Sequence, residues 1–213
     1  MTMAKTYETT LRLLSRQVPR AVARADFASP SNLFPWGGPM NGQRGRQNIV
    51  RRLQSQLNFV AVVETGSFRG TTTEFLTYVT GAPVFTVESE PRYFHYARER
   101  LANLPEVNVE LGDSRTYLRT LATRSGLPSG PTFFYLDAHW HDDLPLPEEL
   151  AIVARHWPDA TVMIDDFQVP DDPGYGYDHY SGGSLNRALI PGELLATTWN
   201  LAYPAIPAKD ETG

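Results

Sequence analysis

Acidic side chains stand at the ends of five apolar stretches of this sequence. In chain order they are Glu64, Glu88, Asp113, Asp137 and the pair Asp165 and Asp166. A carboxylate accepts hydrogen bonds from hydroxyl groups, attracts cations and exchanges protons. Brought to one place, these groups would therefore form a binding site for a polar or cationic ligand. Whether they meet depends on the elements that carry them.

The elements around these carboxylates alternate along the chain. Between residues 58 and 166, five strand-like stretches are separated by four helix-like ones, TTTEFLTYVT, PRYFHYARERLANL, SRTYLRTLATRS and LPEELAIVARHW. The strand-like stretches are continuous apolar runs, as expected for a parallel sheet that helices cover on both faces. We therefore predict an α/β fold with a doubly wound, mostly parallel sheet. Such a sheet delivers the ends of its strands, and hence the carboxylates, to one edge.

Residues 1–58 precede the alternating part and differ from it. Helix-like stretches at about 4–25 and 43–57 flank the Pro/Gly-rich segment SPSNLFPWGGPMNG. We predict a helical N-terminal extension whose loop folds over the ligand as a lid, with Gln43 and Arg46 turned inward. The alternative is a plain loop between two helices.

Composition and charge exclude several kinds of protein. The chain has 213 residues and no cysteine, which excludes disulfide scaffolds, thiolate metal sites and cysteine nucleophiles. No apolar run approaches the ~18 residues of a membrane span, so we expect no membrane partner. Residues 1–60 carry a net charge of +7 and residues 61–213 carry −12. The acidic majority argues against nucleic acid as a partner.

The start of the chain lacks the long apolar stretch of a secretory signal. We therefore expect a cytoplasmic protein, with an organelle transit peptide as the alternative because this start is rich in arginine. At the other end, the residues after Asp166 barely suffice for further strands. Two alternatives stay open: the chain lacks a final strand, or a second subunit supplies that edge in a homo-oligomer.

The turn after the first strand-like stretch, Glu64-Thr-Gly66-Ser67-Phe-Arg-Gly70, has the features of a ligand-binding turn. Glycine lets the chain turn sharply from strand to helix and lets a ligand approach the backbone. The spacing is not the dinucleotide pattern G-x-G-x-x-G, and Glu64 would repel a pyrophosphate but suits an amine. Glu88 follows Gly66 by 22 residues, at about the distance where an acidic residue commonly binds ribose hydroxyls. A ligand with an amino-acid end and a nucleoside end fits these features.

The same residues carry a family resemblance. ETGSFRGTTTEFL resembles motif I of the class I S-adenosylmethionine-dependent methyltransferases, TVESEPRYFHYARERL is similar to their second motif, and GDS is similar to their adenine-side motif. The resemblance covers residues 59–166 and implies a Rossmann-like methyltransferase fold, with residues 59–213 as the S-adenosylmethionine-binding catalytic domain. The residues that it places on S-adenosylmethionine are Glu64, Gly66 and Ser67 at the methionine end, Gly70 in the same turn, Glu88 at the ribose, and Asp113 and Ser114 at the adenine.

A metal site is expected on the other side of the sheet. Asp137 and Asp165 are 28 residues apart, with Asp166 adjacent, and they end neighbouring strands if a helix at 144–157 connects them. Three converging carboxylates repel one another unless a cation or protons compensate, and an all-oxygen site suits Mg²⁺. The layout resembles the metal-dependent O-methyltransferases of the macrocin and catechol type, which implies that all three bind Mg²⁺. Catechol-type enzymes have a carboxamide where Asp166 stands, and the alternative is that Asp165 and Asp166 cap a strand end.

His139, two residues after Asp137, is the expected general base, because imidazole titrates near neutral pH. His141 is the second candidate, and Asp142 and Asp143 would orient either. The loop FQVPDDPGYGYDHYSGGS would wall the pocket of the methyl acceptor. We predict transfer of a methyl group from S-adenosylmethionine to a hydroxyl of a small molecule (a sugar, a phenol or a natural product), assisted by Mg²⁺ and by His139 and Asp137. The alternatives are an NAD-linked oxidoreductase and a non-catalytic nucleoside-binding module.

Overall fold

The computed structural model describes residues 18–29, 34–124, 126–139, 143–180, 183–197 and 199–210. Five parallel strands form its central sheet: β1 (Ala61–Thr65), β2 (Val84–Glu88), β3 (Val107–Leu111), β4 (Thr132–Leu136) and β5 (Thr161–Ile164). Their order across the sheet is β3-β2-β1-β4-β5, and every neighbouring pair is parallel. The predicted α/β fold with a doubly wound parallel sheet is therefore confirmed.

Helices connect the strands as the alternation predicted. The described helices are α1 (Pro19–Phe27), α2 (Arg44–Leu57), α3 (Thr71–Thr80), α4 (Pro91–Arg100), α5 (Ser114–Thr123), α6 (Leu146–His156) and α7 (Gly192–Thr197). After β5 the chain forms a two-stranded antiparallel ribbon of β6 (His179–Tyr180) and β7 (Gly183–Ser184), apart from the main sheet. Among the residues that the structure describes, no helix is both long and apolar enough to cross a membrane.

Both faces of the sheet are buried under helices. Successive strand residues point to opposite faces, so Val62 packs with Leu76 of α3 while Val63 packs with Leu118 of α5. All five residues of β1 and of β4 are buried. This two-sided burial explains why the strands appear in the sequence as continuous apolar runs rather than as alternating ones.

The N-terminal segment packs onto this body. Helix α1 lies against α4, and α2 contacts α3. Pro19 begins α1 at its first position, where its missing N–H costs nothing. The predicted stretch at about 4–25 lies partly outside the described residues. A functional division at residue 58 stays a prediction.

The order of the strands fixes where a ligand can bind. From β1 the chain moves to β2 and β3 on one side of the sheet, and then returns to β4 and β5 on the other side. At such a switch point the connections leave β1 and β4 in opposite directions, which opens a crevice at their carboxyl ends. The candidate site lies in this crevice.

Candidate functional site

A cleft of about 900 Å³ opens at the carboxyl ends of the strands. The predicted site residues that line it are Gly66, Glu88, Asp113, Ser114, Asp137, His139 and Asp166. The structure thus brings together groups from the ends of all five strands. The other predicted site residues, Glu64, Ser67, Gly70 and Asp165, are buried and do not line it. His141 and Asp142 lie outside the described residues.

Gly66 allows the first turn to run directly against β4. Its φ of +85° is left-handed, and a Cβ at this position would lie 2.2 Å from the carbonyl oxygen of Asp137. The neighbouring Thr65 carbonyl accepts a hydrogen bond of 2.9 Å from the Asp137 backbone N–H. Only glycine fits this approach, and it brings the turn after β1 and the end of β4 together at the bottom of the cleft.

Glu88 is held in the cleft by backbone donors. Its carboxylate accepts hydrogen bonds from the N–H groups of Phe68 (2.7 Å) and Glu90 (2.8 Å). Burial raises the pKa of Glu88 to about 7. Trp36 and Tyr93 flank Phe68, with ring centroids 5.1 and 4.3 Å from its own, and all three rings line the cleft. A carboxylate beside aromatic rings is suited to a ribose and its base.

Glu64 does not lie where the resemblance implied. It is 0% exposed and points to the face of the sheet that α3 covers, the face of Val62. Its Oε2 accepts hydrogen bonds from the hydroxyls of Thr73 (2.5 Å) and Thr86 (2.7 Å). Burial raises the pKa of Glu64 to about 7. Glu64 therefore does not reach the surface of the cleft, and the alternation of side chains along β1 is the sequence signal that indicates this.

Asp113 and Ser114, which the resemblance assigns to the adenine, line the cleft at the start of α5. Asp113 caps α5 by accepting a 3.0 Å hydrogen bond from the Thr116 N–H. Arg115 lies 2.6 Å from Asp113 and 2.9 Å from Asp143. The hydrogen bond from Arg115 holds the pKa of Asp113 below its ordinary value. This wall of the cleft is thus fixed by ion pairs before any ligand enters.

Arg46 occupies the centre of the predicted metal site. Its guanidinium forms an ion pair with Asp165 through Nη1, and its Nη2 lies 2.8 Å from Asp166 Oδ1. The Arg46 and Asp165 side chains are only 7% and 1% exposed. Burial raises the pKa of Asp165 to about 6, although Arg46 opposes that rise. Because a guanidinium already pairs with two of the three predicted ligands, Asp137, Asp165 and Asp166 do not fit Mg²⁺ as a set.

His139 and Asp137 face each other at the end of β4. His139 is 4% exposed, and burial lowers its pKa, so the imidazole is neutral near pH 7. Its Nε2 is buried without a hydrogen-bond partner and lies 3.6 Å from Asp137 Oδ1. Burial and the charge of Asp165 raise the pKa of Asp137 well above its ordinary value. A neutral imidazole can accept a proton, and the charges of Asp166 and Asp178 favour its protonated form, although burial outweighs them in the pKa.

Asp178 completes the cleft and was not predicted. Within the described ranges, one group of His and Asp side chains has ligand atoms within 4.8 Å of one another: His139, Asp166 and Asp178. The N–H of Asp178 donates to the Asp166 carbonyl (3.1 Å), and the Tyr180 hydroxyl donates to Asp178 Oδ2 (3.0 Å). The Tyr-rich composition of this loop indicated a wall of the site, but nothing in it singled out Asp178.

Comparisons with known proteins identify the fold. No family model matches the chain, and no curated protein matches it. Among solved structures, it is similar to the O-methyltransferase TomG from Streptomyces achromogenes in complex with S-adenosylmethionine. The identity is 20%, the TM-score is 0.51, and the match covers 83% of this chain and 82% of TomG. This chain has the Rossmann-like methyltransferase fold.

Two further structures show a weaker likeness to this chain. An O-methyltransferase from Bacillus cereus in complex with S-adenosylhomocysteine is 20% identical, with a TM-score of 0.44 over 70% of this chain and 61% of that one. A structure from Staphylococcus aureus is 15% identical, with a TM-score of 0.44 over 57% and 56%. The chain thus spans less than two thirds of the length of each of these two proteins.

Proposed function

We propose that this protein transfers the methyl group of S-adenosylmethionine to a hydroxyl oxygen of a small molecule. The observation that carries the proposal is the charge of the cleft. Seven acidic residues and one arginine, Arg92, line it at the switch point of a methyltransferase fold. The acidic residues outnumber the arginines even when Arg46 and Arg115, which pair with three of them, are included. A sulfonium ion and an ammonium group are attracted to such a cleft, whereas the pyrophosphate of a dinucleotide is repelled. This favours S-adenosylmethionine over the alternative, NAD.

The lining residues suggest how S-adenosylmethionine lies in the cleft. Glu88 offers its carboxylate to the ribose hydroxyls, and Asp113 and Ser114 face the adenine. The turn around Gly66, which runs directly against the end of β4, receives the methionine end. The methyl group then points toward His139 and Asp137, on the side of the cleft that Asp178 also lines. The acceptor therefore lies on this side.

The reaction moves one methyl group and one proton. The acceptor oxygen attacks the methyl carbon, the carbon–sulfur bond breaks, and its electron pair returns to sulfur, which leaves S-adenosylhomocysteine. The proton of the hydroxyl passes to the imidazole of His139, which lines the cleft. The charges of Asp166 and Asp178, whose carboxylate oxygens lie within 4.8 Å of a His139 ring nitrogen, then stabilise the imidazolium. Most of the rate enhancement comes from the alignment of donor and acceptor.

The predicted role of Mg²⁺ is not part of this mechanism. When bound beside an acceptor, Mg²⁺ would lower the pKa of its hydroxyl. The Arg46 guanidinium, however, pairs with Asp165 and Asp166. We therefore assign the proton transfer to His139 alone.

Calorimetry and methyl transfer test the proposal together. S-Adenosylhomocysteine is expected to bind the wild-type protein at micromolar concentration, and NAD⁺ is expected not to bind. Radiolabelled methyl groups from S-adenosylmethionine should appear on members of a panel of phenols and sugars. A His139→Gln variant should bind S-adenosylhomocysteine as the wild type does but turn over about 10² to 10⁴ times more slowly.

Three results would contradict the proposal. Binding of NAD⁺ in place of S-adenosylhomocysteine would favour the oxidoreductase. Binding without methylation of any acceptor would favour the nucleoside-binding module. Full activity of the His139→Gln variant would reject His139 as the base while leaving the transferase in place.

A further inference from the structure

Arg46 is a cation that the chain itself places among the acidic residues of the cleft. It lies in the first turn of α2, 119 residues before Asp165 in the sequence. The two nitrogens at the tip of its guanidinium contact different carboxylates, Nη1 that of Asp165 and Nη2 that of Asp166. We infer that Arg46 takes the place of a divalent cation between the two carboxylates that end β5, so that this site works without a metal.

The first argument is electrostatic. Asp165 is 1% exposed, and the cost of removing its charge from water must be offset by a nearby cation or by a proton. Arg46, itself 6% exposed, is that cation. The planar guanidinium pairs with both carboxylates at once, which the point charge of a lysine would not do equally well. The need for a compensating charge, which the sequence assigned to Mg²⁺, is thus met within the chain.

The second argument is the position of Arg46 on its helix. The first turn of α2 holds no acidic residue but contains Arg44 and Arg46. A cation is unfavourable there, because the helix dipole places partial positive charge at the N-terminus. Helix stability therefore gives no reason for Arg46 to stand at this position. Its contacts with Asp165 and Asp166 give one.

The third argument is that neighbouring contacts hold Arg46 in place. Asn41 Nδ2 reaches Asp166 Oδ2 at 3.4 Å, and Arg46 Nη2 reaches the Tyr175 carbonyl at 3.5 Å. Gln47 donates to the Pro39 carbonyl at 3.0 Å and so braces the preceding turn. The segment before α2 and the loop after β5 therefore meet at the guanidinium, which joins the N-terminal segment to the sheet.

A divalent cation at this place would have to lie beside the guanidinium. Like charges a few ångströms apart repel strongly in a buried setting. The group His139, Asp166 and Asp178 faces the same obstacle, because Asp166 is paired with Arg46. With Arg46 present, metal affinity should be low at both groups. With Arg46 removed, Asp165 and Asp166 would be left without their counter-charge and should attract a metal.

Binding of Mn²⁺, followed by electron paramagnetic resonance, tests the inference without substrate. The wild type is expected to bind Mn²⁺ only at millimolar concentration. The Arg46→Met variant should gain one site, about tenfold tighter or more, and a second substitution, Asp165→Asn, should abolish the gain. Arg52→Met is the matched control, because Arg52 is an exposed arginine of the same helix, and it should bind as the wild type does.

Two outcomes would overturn the inference. One is a wild-type protein that binds one Mn²⁺ at micromolar concentration and loses it in the Asp165→Asn variant. The other is an Arg46→Met variant, shown to be folded by circular dichroism, that gains no affinity. If Arg46→Met does not fold, Arg46→Gln serves in its place, and the wild-type titration needs no variant.

The claim that Arg46 makes catalysis independent of a metal rests on the proposed function. The Mn²⁺ titration needs no substrate and does not depend on the proposed function. In the proposed reaction, turnover by the wild type should be the same with and without EDTA. Calorimetry with S-adenosylhomocysteine on the same samples reports separately on the proposed function. Suppose that the wild type binds neither S-adenosylhomocysteine nor Mn²⁺, and that Arg46→Met gains affinity for Mn²⁺. This combination would reject the transferase and support the role of Arg46.

Discussion

Glu64 and Glu88 are chemically the same residue at the ends of adjacent strands, and burial raises the pKa of both to about 7. Their partners separate their roles. Glu64 contacts two threonine hydroxyls beneath α3, whereas Glu88 contacts two backbone N–H groups at the surface of the cleft. A strand-end carboxylate can thus reach a ligand in the cleft only when its side chain points out of the sheet, toward the crevice.

The Glu88→Gln variant should weaken binding of S-adenosylhomocysteine. Above pH 7, where Glu88 is ionised, hydrogen bonds from ribose hydroxyls to this charged acceptor contribute about 1.5 to 3 kcal/mol, which corresponds to a dissociation constant about 10 to 150 times higher. Calorimetry measures this change. Glu106→Gln, at an exposed glutamate before β3, is the control and should bind as the wild type does. Equal affinities for both variants would show that Glu88 does not hold the ligand.

The Glu64→Gln variant should change how stability depends on pH. Burial raises the pKa of Glu64 from an ordinary 4.5 to about 7. Between these two pH values Glu64 is protonated in the folded protein but ionised in the unfolded chain. This contribution to stability is complete below pH 4.5 and is lost as the pH rises through 7. Between pH 5 and 8, the free energy of unfolding should fall by about 2 to 3 kcal/mol more in the wild type than in the variant.

Urea unfolding at several pH values measures this difference. Glu88 also has a raised pKa, but it is present in both proteins and cancels from the comparison. Glu106→Gln again serves as the control and should follow the wild-type curve. Parallel pH profiles for the wild type and Glu64→Gln would mean that Glu64 is ionised in the folded protein.

At the scale of elements, sequence patterns predicted the five strands and the helices between them to within a few residues. Helix α3 occupies Thr71–Thr80, the same ten residues as the stretch TTTEFLTYVT. Such agreement is expected where strands are buried on both faces, because an unbroken apolar run leaves few alternative assignments. Pro19 lies within the helix-like stretch predicted at about 4–25 and is the first residue of α1, a position that suits proline.

The site was harder to predict than the elements. The rule that ligands bind at strand ends placed Glu88, Asp137 and Asp166 in one cleft, because that rule depends only on topology. It does not give the direction of a side chain, and so it misplaced Glu64. Nor does it give long-range pairing: Arg46 was expected to turn inward, but no local pattern links it to a carboxylate 119 residues away.

The close approach of the turn between β1 and α3 to β4 can be tested by comparing Gly66, in this turn, with Gly81, directly after α3. Gly66 and Gly81 both have positive φ, +85° and +62°, but a Cβ would meet the Asp137 carbonyl at 2.2 Å in the first case and nothing within 4 Å in the second. Gly81→Ala should therefore cost only the backbone strain, about 1 to 2 kcal/mol. Gly66→Ala should cost about 1 to 3 kcal/mol more, because the turn and β4 must move apart.

Urea unfolding compares the two variants, and calorimetry with S-adenosylhomocysteine shows whether the cleft survives. Binding should weaken in Gly66→Ala and stay unchanged in Gly81→Ala. Equal losses of stability would show that backbone conformation alone matters at Gly66, and that the close approach to β4 does not.

At the scale of the whole molecule, basic residues of the N-terminal segment form ion pairs with acidic residues of the rest of the chain. Residues 1–60 carry +7 and residues 61–213 carry −12. Within the described part of the chain, Arg46 pairs with carboxylates of the body, and Arg24 lies 3.7 Å from Glu99. The basic character of the N-terminal segment thus serves, at least for these residues, to attach that segment to the sheet.

In the contacts of Asp26 the signs are exchanged: the N-terminal segment supplies the carboxylate and the rest of the chain supplies the arginines. Asp26 therefore offers a test of how the N-terminal segment is attached. This acidic residue of α1 is 2% exposed and accepts hydrogen bonds from Arg92 (2.7 Å) and Arg69 (3.2 Å) of the body. An Asp26→Asn variant keeps the shape but removes the charge that the guanidinium groups of Arg69 and Arg92 contact. Loss of one partner of a buried ion pair costs about 3 to 5 kcal/mol.

Urea unfolding should show this loss for Asp26→Asn, and hydrogen exchange should show the amides of α1 opening before those of β1. Asp159→Asn, at an exposed turn after α6, should change stability by less than about 0.5 kcal/mol. Arg92 lines the cleft, so the same variant should also weaken S-adenosylhomocysteine binding if the docked helix α1 positions that wall. A variant as stable as Asp159→Asn would mean that apolar packing against α4, rather than the buried charges, holds α1 in place.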